Sequence, residues 1–313
     1  MPANLTPEYM DAERDYKSAA TQAEKVAALE RMLSTLPKHK GTEKMQADIR
    51  RRLSQARKDA QKKGAHHAAP FYQIEKEGAG QVALAGPPNA GKSQLVCALT
   101  HAVPEVADYP FTTRMPTPGM MQFEDVQIQL IDLPPMSPEF MEPWLPQALR
   151  AAHLSVLVVD PSDAAVLEQI EFIGSVFEAR RIPPPKLLIG NKLDLPGAAG
   201  DFAALAELYR GRFPLLAVSA LTGEGLERFR RALFDALDLV RVYTKAPGHK
   251  FEPGAPYILK RGKTVEEAAA AVHKDFAERL KFARLFRLSG DRDGLMVERS
   301  HVVEDRDILE FHI

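Results

Sequence analysis

The sequence predicts an α/β protein in which a doubly wound, mostly parallel sheet lies between a helical N-terminal region and a small α+β domain. Between residues 77 and 240, short apolar runs alternate with helical stretches, a pattern typical of a parallel sheet with helices on both faces. The chain has 313 residues, enough for about two domains and a small third. We therefore predict boundaries at 1–76, 77–240 and 241–313. The apolar runs are QVALAG, VQIQLID, LSVLVVD, KLLIGNK and LLAVSA.

The first segment is expected to form a helical hairpin. Apolar residues recur at three- and four-residue steps between Val26 and Leu36, and Pro37 ends this pattern. A second apolar stripe runs from Met45 to Ala60, and PKHKGTE connects the two helices, as in a helical hairpin. The stretch GAHHAAP that follows has the composition of a linker. The other face of the second helix is basic and carries Lys44, Arg50, Arg51, Arg52, Arg57, Lys58, Lys62 and Lys63.

The last segment mixes one helix with several strands. It begins with the strand candidate VRVYTK and continues through the helix-like stretch TVEEAAAAVHKDFAERL. Three short strand candidates complete it, and they are LFRLSG, GLMVERS and DILEFHI. This composition predicts a compact α+β domain.

Charge is distributed unevenly along the chain, although the formal net charge is only -1. The three predicted segments carry net charges of +5, -8 and +2. The total therefore hides an acidic central domain between two basic flanks. Two interpretations of the basic N-terminal helix stay open: a solvated face, or a surface that contacts RNA or the ribosome.

Cysteine content and hydropathy favour a cytoplasmic protein. The single cysteine, Cys97, cannot form an internal disulfide, which fits a reducing compartment. The N-terminal stretch MPANLTPEYMDAERDY does not have the pattern of a secretory signal, and no apolar run approaches the roughly 18 residues of a membrane span. We expect no membrane partner.

The segment GPPNAGKS has the pattern of a phosphate-binding loop, G-x-x-x-x-G-K-[ST], between a predicted strand and a predicted helix. Gly86 and Gly91 allow close approach of the backbone, whose N–H groups then surround phosphates at the positive end of a helix. Lys92 places a charge on the β- and γ-phosphates, and the Ser93 hydroxyl is a ligand for Mg²⁺. The predicted phosphate contacts are Gly86, Pro87, Pro88, Asn89, Ala90, Gly91, Lys92, Ser93 and Gln94.

Two further loops predict that the base is guanine. NKLD follows the strand candidate KLLIG, where a doubly wound sheet places its ligand. The carboxylate of Asp194 accepts from both N1–H and the exocyclic amine of guanine, whereas adenine would leave it unpaired. Asn191 braces the loop and reaches the base, and the stem of Lys192 covers the ring. Backbone N–H groups of the SAL segment complete the pocket, and its residues are Ser219, Ala220 and Leu221.

A magnesium site is expected beside the phosphates. Asp132 ends the apolar strand in IDLPP and is the natural Mg²⁺ carboxylate of such a site. Upstream, Thr112 and Thr113 each offer a hydroxyl for the same ion. The alternative is that both threonines only fill a polar loop.

The combined motifs GPPNAGKS, PFTTRMPTPG, IDLPP, NKLD and SAL resemble the Obg-like branch of translation-factor-related GTPases. LPKHKGTEKMQADIRRRLSQARKDA resembles the helical region of developmentally regulated GTP-binding proteins, and the tail resembles the ubiquitin-like TGS domain. The resemblance covers nearly the whole chain. It implies a P-loop GTPase that converts GTP to GDP and phosphate, with ribosome or translation-related work, and it favours Thr113 over Thr112 as the metal ligand.

The sequence departs from the family at one position that matters for catalysis. Pro135 replaces the glycine of the usual D-x-P-G, and proline has no N–H to offer the γ-phosphate. Met136 stands where Ras-like enzymes carry a water-orienting glutamine, although this branch usually has an apolar residue there. In several related GTPases an asparagine at the position of Asn89 ligates potassium. The alternative is that Asn89 only tolerates an unusual turn.

These observations predict a slow Mg²⁺-dependent GTPase in which Lys92, Thr113 and Asn89 assist catalysis. The alternative is a nucleotide-gated adaptor for RNA or the ribosome with little or no turnover. An ATPase is a third possibility, against which the intact NKLD argues. The expected partners are guanine nucleotide, the ribosome or structured RNA through the basic helices and the TGS domain, and a protein that contacts the segments 108–118 and 133–146.

Overall fold

A computed structural model describes residues 6–19, 22–36, 42–64, 70–100, 115–287 and 294–313. The chain divides into two compact units, Met1–Pro70 and Phe71–Ile313. The boundaries predicted at 76/77 and 240/241 are not tested by this division and stay predictions. No helix in the described part of the chain is long and apolar enough to cross a bilayer.

The N-terminal unit contains three helices, α1 (Pro7–Ser18), α2 (Gln22–Thr35) and α3 (Glu43–Gly64). Helices α2 and α3 are those predicted from the apolar stripes, whereas α1 is an additional helix with only two buried residues, Tyr9 and Ala12. Thr6 caps α1 by accepting a hydrogen bond from the backbone N–H of Tyr9. The predicted connection PKHKGTE and linker GAHHAAP fall largely outside the described residues. The core of the unit is formed by Tyr9, Ala12, Leu29, Met32, Leu36, Ile49 and Leu53.

The second unit begins with the predicted doubly wound sheet. Its strand order is β2-β3-β1-β4-β5-β6, in which β2 is antiparallel to β3 and the other neighbours are parallel. The antiparallel edge strand β2 was not predicted, because its sequence TPGMMQF has a proline and a glycine in place of a continuous apolar run. The strands are β1 (Gly80–Ala85), β2 (Thr117–Phe123), β3 (Val126–Asp132), β4 (Leu154–Val159), β5 (Leu187–Gly190) and β6 (Leu215–Ala217).

Helices cover both faces of this sheet because its central strands alternate between two apolar layers. In β1, Val82 and Leu84 pack in one layer, and Ala83 and Ala85 pack in the other. The first layer includes apolar residues of α4 and α8, and the second includes those of α5, α6 and α7. The helices are α4 (Lys92–Thr100), α5 (Leu145–Ala151), α6 (Val166–Ala179), α7 (Ala198–Leu208) and α8 (Leu226–Ala236).

The C-terminal part is an α+β domain with a five-stranded sheet of order β10-β9-β11-β7-β8. The helix-like stretch predicted as one element is divided in two at His273, which has an extended backbone and accepts a hydrogen bond from Asp275 N–H. Strand β8 was not predicted, and strand β9 begins earlier than the candidate LFRLSG. The elements are β7 (Leu239–Thr244), β8 (Tyr257–Lys260), α9 (Val265–Val272), α10 (Lys274–Arg279), β9 (Phe282–Phe286), β10 (Leu295–Val297) and β11 (Asp307–His312).

A buried arginine joins the two sheets. The side chain of Arg241, on β7, is only 1% exposed. Its guanidinium contacts Glu124 and Asp125 in the turn between β2 and β3, and it contacts Asp305 in the C-terminal domain at 2.8 Å. Tyr243 donates a second hydrogen bond to Asp125. The closed end of the β2–β3 hairpin is therefore attached to the first strand of the C-terminal domain.

The carboxylates around Arg241 are held in their charged form. Hydrogen bonds from Arg241 keep the pKa of Glu124 below its usual value. Burial alone would raise the pKa of Asp305, but the hydrogen bonds from Arg241 outweigh it and the pKa lies below the usual range. Because these pKa values are depressed, the network stabilises the folded protein above the usual carboxyl pKa and loses this contribution as the pH falls.

Replacing Arg241 with methionine is expected to destabilise the protein by about 2–3 kcal/mol at pH 7, since it leaves three carboxylates without their shared partner. Their partial exposure keeps the loss below that of a fully buried pair. Urea unfolding followed by circular dichroism measures it, and the difference from wild type should shrink below about pH 4. R261M removes an exposed ion pair with Asp238 and is the control, expected to change stability by less than about 0.5 kcal/mol. Equal losses in both variants would contradict a special role for Arg241.

Candidate functional site

The predicted nucleotide-binding loops lie at one edge of the first sheet. Strands β1, β3, β4, β5 and β6 are parallel, so their carboxyl ends meet at this edge. The order of the strands reverses around β1, and a crevice at such a point is where doubly wound sheets bind ligands. The structure therefore brings together GPPNAGKS, IDLPP, NKLD and SAL, which are spread over residues 86–221 of the sequence.

The phosphate loop requires both of its glycines. A Cβ atom on Gly86 would lie 2.2 Å from the backbone oxygen of Val158. Gly91 has a φ of +82°, and a Cβ atom there would lie 2.3 Å from Nδ2 of Asn191. Asn89 also has a positive φ of 59°, which asparagine adopts more readily than most residues. The positive φ of Asn89 supports the explanation that asparagine is present because it tolerates this turn. The potassium-ligand explanation stays a prediction.

Lys92 is buried at the start of α4, directly after the loop. Its Nζ atom donates to the backbone oxygens of Gly86, at 3.1 Å, and Pro87, at 2.9 Å. Burial lowers the pKa of Lys92 to about 8, although the nearby charge of Asp132 acts in the opposite direction. The ammonium group is held by carbonyl oxygens that phosphate oxygens can replace.

Asp132 and Ser93 form the predicted magnesium pair. Ser93 Oγ donates to Oδ2 of Asp132 at 2.5 Å. Oδ1 of Asp132 is buried and has no hydrogen-bond partner among the described residues. Burial raises the pKa of this carboxyl, and the Ser93 hydrogen bond only partly offsets the effect. A hydroxyl beside an unsatisfied carboxylate oxygen fits a Mg²⁺ ion. Thr112 and Thr113 lie outside the described residues.

Asn191 connects the phosphate loop with the base loops. Its side chain is fully buried, its Nδ2 donates to the backbone oxygen of Ala90, and its Oδ1 accepts from Ala220 N–H, each at 3.0 Å. Both ends of the amide are therefore used for bracing. Ser219 Oγ donates to Oδ1 of Asp194 at 2.5 Å, which orients that carboxylate. Leu221, the last residue of the SAL segment, is exposed.

Asp160 is a site residue that the sequence analysis missed. It follows β4, and its Oδ2 pairs with Nζ of Lys192 at 2.8 Å. Burial alone would raise the pKa of Asp160, but hydrogen bonds from Lys192 and Ser162 lower it below its usual value. This ion pair fixes the head group of Lys192 beside the carboxyl end of β4. The sequence feature that could have identified Asp160 is its position at the end of the apolar run LSVLVVD. The predicted nucleotide-binding motifs also follow the carboxyl ends of strands in this sheet.

Comparisons with known proteins match two families to separate parts of this chain. The family described as 50S ribosome-binding GTPase matches residues 81–192, and the TGS domain family matches residues 240–313. The GTPase Obg of Desulforudis audaxviator is 32% identical over 55% of this chain and 43% of its own. This chain combines an Obg-like GTPase domain with a TGS domain.

Two other relatives align with most of this chain. Uncharacterized GTP-binding proteins of Methanocaldococcus jannaschii and Halobacterium salinarum are 25% and 27% identical, and each alignment covers 91% of this chain and at least 91% of the relative. The solved YchF GTPase of Schizosaccharomyces pombe superposes on 77% of this chain and 99% of its own with a TM-score of 0.53. At 14% identity that likeness shows the fold alone.

The segment after Asp132 of this GTPase differs from a glycine-containing switch. Pro135 has no N–H, and the N–H of Met136 donates to the backbone oxygen of Gly86 at 3.1 Å. The Met136 side chain is buried in the layer of α5, α6 and α7. Two consecutive positions therefore offer no free N–H to a phosphate in this arrangement.

Trp144 lies at the end of the same loop and stacks on Tyr72, with ring centroids 5.6 Å apart and planes inclined by 7°. Phe71 contacts it edge-on. Trp144 is half-buried, so these contacts account for much of its apolar surface.

The lowered pKa of Lys92 predicts that nucleotide binding weakens as the pH rises. Below about pH 8 the ammonium group is charged before the phosphates arrive. Above it, binding must take up a proton, and affinity falls by up to tenfold per pH unit. Calorimetry of GDP binding from pH 7 to 9.5, in buffers of different ionisation enthalpy, measures both the affinity and the proton uptake. K92M is the control, since it has no ammonium to titrate, and an equal pH dependence in K92M would contradict the assignment.

Proposed function

We propose that this protein is a slow Mg²⁺-dependent GTPase of the developmentally regulated type that acts as a switch in ribosome or translation-related processes. The observation that carries the proposal is the Asn191 bridge, which places the phosphate loop and the guanine loop on one buried side chain. The reaction is hydrolysis of GTP to GDP and phosphate, with water as the nucleophile.

The phosphate side of the site stabilises charge. Lys92 places its ammonium beside the β- and γ-phosphates, and the N–H groups of the loop from Gly86 to Gly91 surround them. Ser93, Asp132 and Thr113 would hold the metal, Asp132 either directly or through water. A bound Mg²⁺ neutralises charge that develops on the phosphate oxygens. No general base is evident among the described residues, so positioning and electrostatics carry the chemistry.

The base side of the site selects guanine. Asp194, oriented by Ser219, accepts two hydrogen bonds from the base. Lys192, held by Asp160, covers the ring face. The N–H of Ser219 donates to the backbone oxygen of Glu224, and the N–H of Ala220 donates to Asn191. We therefore assign the contact with the base oxygen to the N–H of Leu221. An adenine base would leave the Asp194 carboxylate without a donor, which disfavours ATP.

Slow turnover follows from the residues beside the γ-phosphate. Pro135 and Met136 offer neither a free N–H nor a water-orienting amide. We assign to Asn89 the role of supplying an oxygen to a potassium ion, whose charge would take the part that an arginine finger has in other GTPases.

The second candidate function is a nucleotide-gated adaptor with little or no turnover, and Pro135 is the observation that favours it. In either case the basic helix α3 and the TGS domain are the surfaces we assign to RNA or the ribosome. This assignment is supported by the net charge of +5 on residues 1–76.

Replacing Asp194 with asparagine should weaken GTP binding about 100-fold. The reason is that the asparagine NH₂ group would face the exocyclic amine of guanine, and both groups are donors. The same amide can donate to the 2-oxo group of xanthine, so XTP should bind the variant more tightly than GTP. Competition against a fluorescent nucleotide measures both affinities. The matched control is D201N on the exposed start of α7, which should bind GTP like wild type. Unchanged GTP affinity in D194N would refute the assignment of the base pocket.

Single-turnover phosphate release tests the hydrolysis itself. We expect slow release that potassium accelerates at least tenfold over sodium, and that N89G makes insensitive to the choice of ion. Glycine accepts the positive φ of Asn89 but lacks the side-chain oxygen, so N89G separates the ligand from the turn.

The same assay distinguishes the enzyme from the adaptor. P135G should raise the rate if the missing N–H limits hydrolysis. Background rates in both ions, with and without ribosomes, would contradict the enzyme and leave the adaptor. Equal rates in potassium and sodium would contradict only the role of Asn89.

A further inference from the structure

A cavity of about 340 Å³ lies beside the phosphate loop and is separate from the predicted base pocket. One wall is formed by Pro87, Pro88 and Asn89 of the loop. A second is the segment 136–139 after Asp132, and the third is the first half of α6. An occupant of this cavity would therefore contact two of the segments that surround the phosphates.

The floor of the cavity is apolar. Pro87 and Met136 are buried and Phe172 is half-buried, and all three line the cavity. Such a surface accommodates the methylene stem of a long side chain.

The rim of the cavity is acidic. Glu139, Asp163 and Glu168 line it, and none of them forms an ion pair with another described residue. Among the described residues, the Asp163 carboxylate accepts hydrogen bonds from two uncharged donors, Ala165 N–H and Gln169 Nε2, both at 2.9 Å. Three carboxylates thus surround a pocket that no lysine or arginine among the described residues lines.

We propose that this cavity binds an arginine or lysine side chain of a partner protein. The apolar floor fits the stem, and the rim offers several acceptors to the charged head. Arginine suits the site better, because its guanidinium donates five hydrogen bonds and is more weakly hydrated than an ammonium. An RNA partner is disfavoured here, since its phosphates would face the three carboxylates. The inference does not depend on hydrolysis.

With this assignment the molecule has two proposed partner surfaces of opposite charge. The acidic cavity beside the nucleotide selects a basic protein segment. The basic N-terminal segment carries the opposite charge and suits RNA. A cation in the cavity would lie next to Asn89 and the residues that follow Asp132, which is where a partner can respond to the bound nucleotide.

A peptide titration tests the proposal on the full chain. The probes are acetyl-Leu-Arg-Leu-amide, its neutral citrulline analogue and its glutamate analogue, at constant ionic strength. The readout is the NMR signal of the Met136 methyl group in protein labelled at methionine methyls, assigned by its absence in M136L. We expect the arginine peptide to shift this signal and the other two to leave it in place. Equal shifts with arginine and citrulline peptides, or a shift with a short oligouridine, would overturn the proposal.

Matched variants locate the binding. E168Q should weaken the arginine peptide roughly two- to fivefold, and the double variant E139Q/E168Q roughly tenfold. E178Q removes a carboxylate from the same helix outside the cavity and should have no effect. A165W fills the cavity without a change in charge and should abolish the shift. If E178Q and E168Q weakened binding of the arginine peptide equally, the peptide would be attracted by the overall negative charge of the protein. That result would overturn the proposed site. GDP affinity, measured on the same samples, is expected to stay unchanged, so a failure here is distinguishable from a failure of the nucleotide site.

Discussion

The buried carboxamide of Asn191 holds the nucleotide site of this protein together. Its nitrogen binds the phosphate loop at Ala90 and its oxygen binds the SAL loop at Ala220. A Cβ atom on Gly91 would collide with the same nitrogen, so the conformation of the glycine and the position of the asparagine depend on each other. Both polar atoms of the Asn191 amide are paired, and an unpaired amide in this position would cost about 1–3 kcal/mol. This one side chain therefore fixes the predicted phosphate loop relative to the SAL loop.

A second buried polar group sets the relation between the GTPase and TGS domains. Arg241 meets carboxylates of both, and its partners Glu124 and Asp125 lie in the turn of the β2–β3 hairpin. The open end of that hairpin pairs Thr117 with Asp132. One element thus reaches from Asp132, the carboxylate proposed to bind magnesium, to the TGS domain. The hairpin is a continuous pair of hydrogen-bonded strands from Thr117 to Asp132.

The sign of the net charge, and the share of it that is neutralised internally, differ between parts of the chain. The sum over the whole sequence is close to zero, but the N-terminal segment is basic and the central segment is acidic. The structure adds that some of the acidic residues are neutralised internally, as at Arg241, whereas Glu139, Asp163 and Glu168 have no ion-pair partner among the described residues. Only the unpaired charges are available to attract a partner.

Local patterns determined much of this protein from the sequence alone. The motif GPPNAGKS needs its neighbouring strand and helix and little else, and the strand ends carrying Asp132 and Asn191 follow from alternating apolar runs. Elements without a strong pattern were missed or misjudged: helix α1 is mostly exposed, β2 contains proline and glycine, and His273 interrupts a stretch of helical composition. Their structure depends on packing and caps that local propensity does not encode. Three contacts could be identified only from the tertiary structure. Asn191 uses both ends of its amide to bind neighbouring loops, and Asp160 forms an ion pair with Lys192. Arg241 binds carboxylates that are more than 60 residues away in the sequence. The physical reason is that hydrogen bonds and ion pairs are short-ranged, so their partners are settled only when the chain brings distant segments into contact.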